Sequence, residues 1–166
     1  MSYLAKDTMS NNLITIDWKA SLARAYEIMK EHNIRHLPVR NDETVIVGML
    51  SERDLLRAMK SDFSKDHLVP SEYSQFSPEA IVRDFMNWPI KTVNKRDKLE
   101  TVVHKMLNEK ISSVLVVDQA QELVGIITTD DLISLLLTFL RDDSEKKTME
   151  IGNLFNSDWI PTTILS

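Results

Sequence analysis

The sequence contains no cysteine. Disulfide staples, thiolate metal sites and cysteine nucleophiles are therefore excluded, and this usage fits a reducing compartment. Glycine is nearly as scarce, with three in 166 residues. Loops that cradle polyphosphates need several glycines at fixed spacing, and neither G-x-G-x-x-G nor a Walker sequence occurs. Long apolar runs are missing as well. The most apolar stretch, Leu132–Leu140, is broken by Ser134 and Thr138 and falls far short of a bilayer span. Residues Met1–Met9 lack the basic and apolar regions of a secretory signal. Excess positive charge is absent too: the net charge is −5, which would repel a phosphate backbone. The expectation is a cytoplasmic protein with no membrane and no nucleic-acid partner.

Catalytic patterns are equally thin. The four histidines, His32, His36, His67 and His104, form no H-E-x-x-H, and no G-x-S-x-G occurs. His32 and His36 are four apart, but Asn33–Pro38 leaves the helix between them. No pair of carboxylates shows a spacing that points to acid–base chemistry. No catalytic residue, no metal site and no enzymatic activity are expected.

What the sequence does contain is a duplication. Gly48 and Gly125 lie 77 residues apart, and that offset aligns the chain with itself without gaps. Asp7 falls on Asp84, Met9 on Met86, Thr15 on Thr92 and Leu22 on Leu99. Met29 falls on Met106, Ile34 on Ile111, Val39 on Val116, Val47 on Val124, Asp54 on Asp131 and Leu55 on Leu132. Each copy has a short lead-in, Ala5–Met9 or Val82–Met86, and a brief extended stretch ending at Ile16 or Val93. A helix follows: Leu99, Val102, Val103, Met106 and Leu107 give the apolar stripe of period 3.6. Two strands come next, Leu37–Arg40 and Val45–Leu50 in the first copy, Val114–Val117 and Leu123–Ile127 in the second. Turns at Asn41-Asp42 and Asp118-Gln119 join them. A second helix opens just after Ser51 and Thr128. The fold class is α/β (α+β), as two βαββα units. The expected organisation is motif 1 over residues 1–59, a linker over 60–81, motif 2 over 82–141 and a tail over 142–166.

Three segments recur in order in both copies: Ala5-Lys6-Asp7-Thr8-Met9 with Val82–Met86, Asn33–Val39 with Lys110–Val116, and Val47–Leu55 with Val124–Leu132. In these segments the chain resembles the cystathionine-beta-synthase (CBS) domain family, in which two tandem motifs form a Bateman module. The resemblance covers residues 5–57 and 82–140. It implies two small sheets packed with pseudo-twofold symmetry, two clefts between the motifs, and flat dimers of modules. It implies that the clefts bind AMP, ADP, ATP, S-adenosylmethionine or a related adenosyl compound, as a bound ligand rather than a required cofactor.

Ser51–Asp54 and Thr128–Asp131 share the form S/T-x-x-D ahead of an apolar helix. By itself that pattern describes a helix cap, in which the hydroxyl accepts a backbone N–H and the acid favours the positive end of the helix. The two roles are compatible, because a helix start also presents N–H groups to phosphate or ribose oxygens. The resemblance assigns ribose hydroxyls to Asp54 and Asp131, with Ser51 and Thr128 contacting ribose or phosphate. It places Thr15 and Thr92 at the base pocket, and Arg35, His36, Ser112 and Ser113 near base and phosphate. The copies differ there: Arg35 and His36 stand opposite Ser112 and Ser113, and Arg53 opposite Asp130. The cleft reached by Arg35, His36 and Arg53 is expected to prefer a phosphorylated ligand. Solvated surface is the ordinary alternative for these arginines.

Residues 132–140 are apolar around nearly the whole helix, so the expectation is burial on all sides. A second copy of the chain, as a homodimer, is the expected cover, with the Trp159–Ile160 tail as the competitor. The sequence carries no recognisable effector domain, so output is expected to pass to an unidentified effector protein. A scaffold that dimerises or binds proteins without any ligand is the alternative reading, and a small enzyme using the cleft is a weaker third.

Overall fold

The structure, a computed structural model, describes residues 3–62 and 76–142. It divides into two units, one running through Thr128 and the other beginning at Thr129. The first unit holds two three-stranded sheets. Strand β1 (Ile16–Asp17) leads into helix α1 (Leu22–Glu31), strands β2 (His36–Arg40) and β3 (Ile46–Ser51), and helix α2 (Glu52–Asp62). The second copy repeats this with β4 (Thr92–Asn94), α3 (Leu99–Asn108), β5 (Ser113–Val117) and β6 (Leu123–Thr128). Helix α4 (Thr129–Asp142) forms the described part of the second unit. The strands run one residue past, or start one residue before, several of the expected limits. Hydrogen-bond pairing at Asp17, Asn94, Ser51 and Thr128 continues beyond the apolar positions that mark a strand in sequence.

Each sheet has its middle strand parallel to the first and antiparallel to the third, in orders β1-β2-β3 and β4-β5-β6. The parallel pair needs a crossover, which α1 and α3 supply. Both hairpins carry a register shift at the same place, between Val39 and Arg40 and between Val116 and Val117. The turn side chains explain it. Asn41 Oδ1 accepts the N–H groups of Glu43 (3.1 Å) and Val45 (3.0 Å). Asp118 Oδ1 accepts those of Ala120 (2.9 Å) and Glu122 (3.1 Å). Each turn then needs one residue in the left-handed region, Thr44 (φ 62°) or Gln121 (φ 64°).

The helix ends repeat in the same way. Asn33 (φ 52°) and Lys110 (φ 53°) are left-handed. The N–H of the next residue reaches back five positions, Ile34 to Met29 O (2.9 Å) and Ile111 to Met106 O (3.0 Å). This is the Schellman ending, which satisfies the last carbonyls of a helix. The starts are less alike. Ser21 caps α1 by accepting Arg24 N–H at 3.2 Å, whereas Lys98 gives α3 no side-chain cap.

The lead-ins are exchanged between the copies. The lead-in of the first copy forms a short 3₁₀ turn at Ala5–Asp7 and bonds to the second copy, with Ala5 N–H to Asp97 O (2.9 Å) and Lys6 N–H to Lys95 O (3.0 Å). The lead-in of the second copy, turning at Val82–Asp84, bonds to the first, with Val82 N–H to Ala20 O (2.9 Å) and Arg83 N–H to Trp18 O (2.8 Å). Val82 is wholly buried in the core formed by Ile16, Leu22, Ala25, Met29, Leu37, Val39, Leu50 and Leu55. Phe76 and Ala80 pack against that core, and Ala80 N–H closes a turn on Ser77 O (3.0 Å). Burying a side chain such as Val82 contributes roughly 1.5–3 kcal/mol, so the core of the first copy is incomplete without the lead-in of the second.

The exchange accounts for the two glycines that align between the copies. Met49 and Asn87 bond reciprocally (3.0 and 2.8 Å), as do Ser10 and Ile126 (2.9 and 3.0 Å). A methyl group on Gly48 would overlap the Met86 thioether, and one on Gly125 would sit 2.8 Å from Met9 Sδ and 3.0 Å from Ser10 O. Glycine at β3 and β6 thus gives the opposite lead-in room to lie close across the strand.

Helix α4 carries Ile133, Leu136, Leu137 and Leu140 at 58%, 39%, 45% and 52% exposure. These positions share one stripe. Leu132, Leu135 and Phe139 are half-buried. The expected all-round burial is therefore absent within the described residues of a single chain. No described helix is long and apolar enough to cross a membrane. Residues 63–75 of the expected linker, and the tail residues Trp159 and Ile160, lie outside the described residues.

Candidate functional site

The N-terminus of α2 is where the first copy concentrates polar chemistry. β3 ends at Ser51 and α2 begins at Glu52, so Asp54 stands in the first helical turn. Its side chain is 6% exposed, an expensive position for a carboxylate unless it is hydrogen-bonded. It is well supplied. Asp54 Oδ2 accepts Ser51 N–H (2.9 Å), Ser51 Oγ–H (2.6 Å) and the Asn87 side-chain amide (2.8 Å). The first contact is the reciprocal half of a capping box, in which the acid three residues into the helix returns to the cap residue's N–H. The expected cap chemistry is corrected in one respect. The Ser51 hydroxyl donates to Asp54 instead of accepting a backbone N–H. A buried carboxylate is the stronger acceptor, so the hydroxyl hydrogen turns toward it.

Oδ1 has a different environment. The Arg57 guanidinium lies 3.5 Å away, and that side chain is 68% exposed. This separation is beyond a good hydrogen bond, and an ion pair so exposed contributes little. One oxygen of Asp54 is therefore committed to the fold, while the other faces a loosely held cation.

Other expected residues gather at the same place. His36 opens β2 directly across from Ser51, and its Nε2 lies 2.8 Å from Ser112 Oγ in the second copy. Arg35 is exposed, and its carbonyl accepts Glu52 N–H at 2.9 Å, which fixes it at the head of α2. Arg53 is exposed in the first turn of α2. The structure thus brings Ser51, Asp54, Arg53, Arg35, His36 and Ser112 to one end of α2. The bonds at Asn87 and Ser112 join the copies there.

Thr15 and Thr92 occupy equivalent positions at their sheets, Thr15 just before β1 and Thr92 first in β4, both half-buried. β2 separates β1 from β3, so Thr15 belongs to the opposite edge of the sheet from Ser51. In the second copy Ser113 is 9% exposed and pairs with Thr128 across β5 and β6. Asp131 lies in the first turn of α4, half-buried. Among the described residues no group of three or more His, Asp or Glu side chains could hold a metal.

Two residues of the Asp54 cluster, Asn87 and Arg57, are not singled out by sequence. Asn87 is exposed and follows the lead-in by one position. Alignment at the 77-residue offset pairs it with Ser10, which shows equivalence but not that its amide reaches the other copy. Arg57 stands opposite Ser134 at the same offset. It extends the difference already visible at Arg35 and Arg53, and could have been found by carrying that comparison one turn further along α2.

Comparison with known proteins agrees with this architecture. The family model described as the CBS domain matches twice, over residues 5–61 and 82–138. The chain is 29% identical over 130 residues to a homoserine O-acetyltransferase of Methanosphaera stadtmanae, covering 78% of this chain and 23% of that protein. It is 27% identical over 129 residues to an L-aspartate semialdehyde sulfurtransferase of Methanocaldococcus jannaschii, covering 78% and 22%. The chain therefore spans less than a quarter of the length of these curated relatives. Among solved structures, it is similar to a CBS domain pair in complex with 5′-methylthioadenosine and S-adenosyl-L-methionine, with TM-score 0.68, 26% identity, and coverage of 82% of this chain and 97% of that one. A CBS domain protein of Thermoplasma acidophilum gives TM-score 0.67 at 27% identity, covering 81% and 69%. Two family matches at the two copies, on two sheets with exchanged lead-ins, establish that the chain belongs to the CBS domain family.

Proposed function

We propose that this chain is a regulatory sensing module that binds an adenosine-containing ligand at the Asp54 cluster and transmits occupancy to a partner protein. The observation that carries the reading is Asp54 itself: a buried carboxylate at a helix start, tied to the other copy by Asn87, with Oδ1 still able to accept a ribose hydroxyl. A similar CBS domain pair is in complex with 5′-methylthioadenosine and S-adenosyl-L-methionine, which supports an adenosyl ligand. Arg35, Arg53 and His36 at the same end of α2 favour a phosphorylated form such as AMP, ADP or ATP. Asp131 with Thr128 is the equivalent pair for a second, less charged ligand, with Ser112 and Ser113 as neutral donors. Thr15 and Thr92 are the proposed base-side residues.

A ligand held between copies stabilises one arrangement of the halves over another, and coupling of this kind is typically about 1–3 kcal/mol. The exposed stripe of α4 supports assembly into a homodimer through residues 132–140.

Thermal-shift measurements against AMP, ADP, ATP, S-adenosylmethionine and 5′-methylthioadenosine test the reading. A ligand at a hundredfold excess over its Kd stabilises by about 2.7 kcal/mol. No shift with any of them would reject it. A second reading, a ligand-free interaction scaffold, draws on one specific observation: three donors from the chain itself already fill Asp54 Oδ2, as in a purely structural capping residue.

A further inference from the structure

Asp54 presents two chemically different oxygens. Oδ2 receives three donors, at 2.6, 2.8 and 2.9 Å. A carboxylate oxygen has about two lone-pair directions, so Oδ2 has no capacity left for an incoming hydroxyl. A ligand hydroxyl that reaches this carboxylate must therefore use Oδ1. That is the oxygen beside Arg57.

Arg57 is placed to respond. Its guanidinium is 3.5 Å from Oδ1 and its side chain is 68% exposed. At that distance the pair is a loose electrostatic contact, and solvent screens most of it. A hydroxyl donor can take the oxygen at little cost. The displaced guanidinium remains anchored three residues along the same helix, next to whatever occupies Oδ1. It also lies one turn beyond Arg53 on the same face of α2, in the i, i+4 relation that makes neighbours of helical side chains. Two adjacent like charges repel, so an anion that bridges them is favoured. Guanidinium is well suited to this exchange, because its planar set of donors fits a phosphate as well as a carboxylate.

We propose that Arg57 is a specificity-determining residue of the Asp54 site. It shields Oδ1 in the empty protein, turns to the phosphate of a bound nucleoside phosphate, and disfavours a cationic adenosyl ligand. The inference rests on the adenosyl reading above. It adds a residue and a charge rule to it. Ser134 stands at the corresponding position of the second copy and can provide neither effect.

The test is isothermal titration of the full chain and its Arg57→Gln and Arg57→Lys variants with two probes, AMP and S-adenosylmethionine, at low ionic strength. Arg57→Gln removes the charge while leaving a polar side chain that can still donate a hydrogen bond, and an exposed position tolerates the exchange. The expected result is opposite in sign for the two probes. AMP binds about tenfold more weakly to Arg57→Gln, the effect of one charge-assisted hydrogen bond. S-adenosylmethionine binds about two- to threefold more tightly, as a screened like charge is removed. Arg57→Lys keeps the wild-type order of the two probes. A merely structural role would weaken both probes together, and that outcome, or no change in either, overturns the inference while leaving the adenosyl reading intact. Failure of the wild-type chain to bind either probe or 5′-methylthioadenosine rejects the adenosyl reading, and the inference with it.

Discussion

The side-chain amide of Asn87 lies 2.8 Å from Asp54 Oδ2 and joins the second copy's lead-in to the first helical turn of α2. Asn87 is also held by its backbone, through reciprocal bonds to Met49. The residue therefore couples a strand edge and a buried carboxylate across the boundary between copies. Replacing it by alanine removes the side-chain bond and leaves the backbone bonds in place. Asn87→Ala is expected to lower stability by about 1 kcal/mol, as for a partly exposed hydrogen bond to a charged group. For a chain of this size that is a fall in Tm of about 2–4 °C, readable by circular dichroism. An unchanged Tm would show that the contact contributes nothing to holding the lead-in.

Asp54 has more to lose. Its removal leaves the half-buried Ser51 N–H and hydroxyl without their acceptor, and releases the amide of the exposed Asn87. Asp54→Ala is expected to lower stability by about 2–4 kcal/mol in urea unfolding, because donors left unpaired carry their full desolvation cost. Asp54→Ala also probes ligand binding at the proposed site. The buried network makes it a probe of folding as well, so affinity must be measured under conditions where the variant is demonstrably folded.

The glycine positions offer a test of the exchanged lead-ins. Gly48→Ala would push a methyl group into Met86, and overpacking of this kind costs typically about 1–3 kcal/mol. Shortening the obstacle should relieve it. The double variant Gly48→Ala with Met86→Ala is expected to be more stable than the sum of the single effects implies, a coupling of at least about 0.5 kcal/mol. Strictly additive effects would mean that Met86 does not lie over Gly48 in solution.

Acid stability has a local signature at the first hairpin. Asp42 accepts from Lys19 Nζ (2.6 Å) and Trp18 Nε1 (3.3 Å). The Lys19 hydrogen bond, aided by that of Trp18, holds its carboxyl below the ordinary value of 3.8. A carboxyl with a lowered folded-state value contributes stability above its unfolded value and loses it as pH falls through the folded one. The contribution is therefore intact at neutral pH and disappears below about pH 4. The pair is exposed, so the effect is small and salt-sensitive. NMR titration of the Asp42 carboxyl should report a value below 3.8 that moves upward in Lys19→Met. A carboxyl that titrates identically in the two proteins would contradict the pairing.

Assembly is testable on α4. Ile133, Leu136, Leu137 and Leu140 form an exposed stripe that a second copy would bury. Leu137→Asp places a charge in that stripe, and sedimentation should show dimer association weakened at least about tenfold in Kd, given about 1.5–3 kcal/mol per buried leucine. A wild-type chain that sediments as a monomer at high concentration would remove the stripe's proposed role.

Much of the fold is legible in the residues because the duplication is physical as well as textual. The left-handed residues Asn33 and Lys110, and Thr44 and Gln121, fall at the same 77-residue offset as the aligned glycines. Lys110 and Gln121 announce nothing by composition. Only their register with the first copy marks them. Asn41 and Asp118 are legible as turn residues, since each side chain can satisfy the backbone of its own turn.

What escapes the sequence is contact between copies. An internal alignment identifies equivalent residues, such as Met9 with Met86, but contact pairs them crosswise, Met9 with Gly125 and Met86 with Gly48. The same limitation hides Asn87. Its partner lies 33 residues earlier, in a helix turn where Ser51 and Asp54 already make up the cap motif. The cap residues themselves are readable, yet the direction of the Ser51 hydroxyl depends on the burial of Asp54, and burial depends on the exchanged lead-in.

The proposed binding turns on Asp54 Oδ1 accepting a ribose hydroxyl, and the most direct measurement compares AMP with 2′,3′-dideoxy-AMP by isothermal titration on the wild-type chain. Phosphate, base and overall charge are the same, and only the donors to Oδ1 differ. The predicted result is saturable AMP binding with at least about tenfold loss for the dideoxy compound, the weight of a hydrogen bond to a buried charge. Equal affinity for the two would contradict the account.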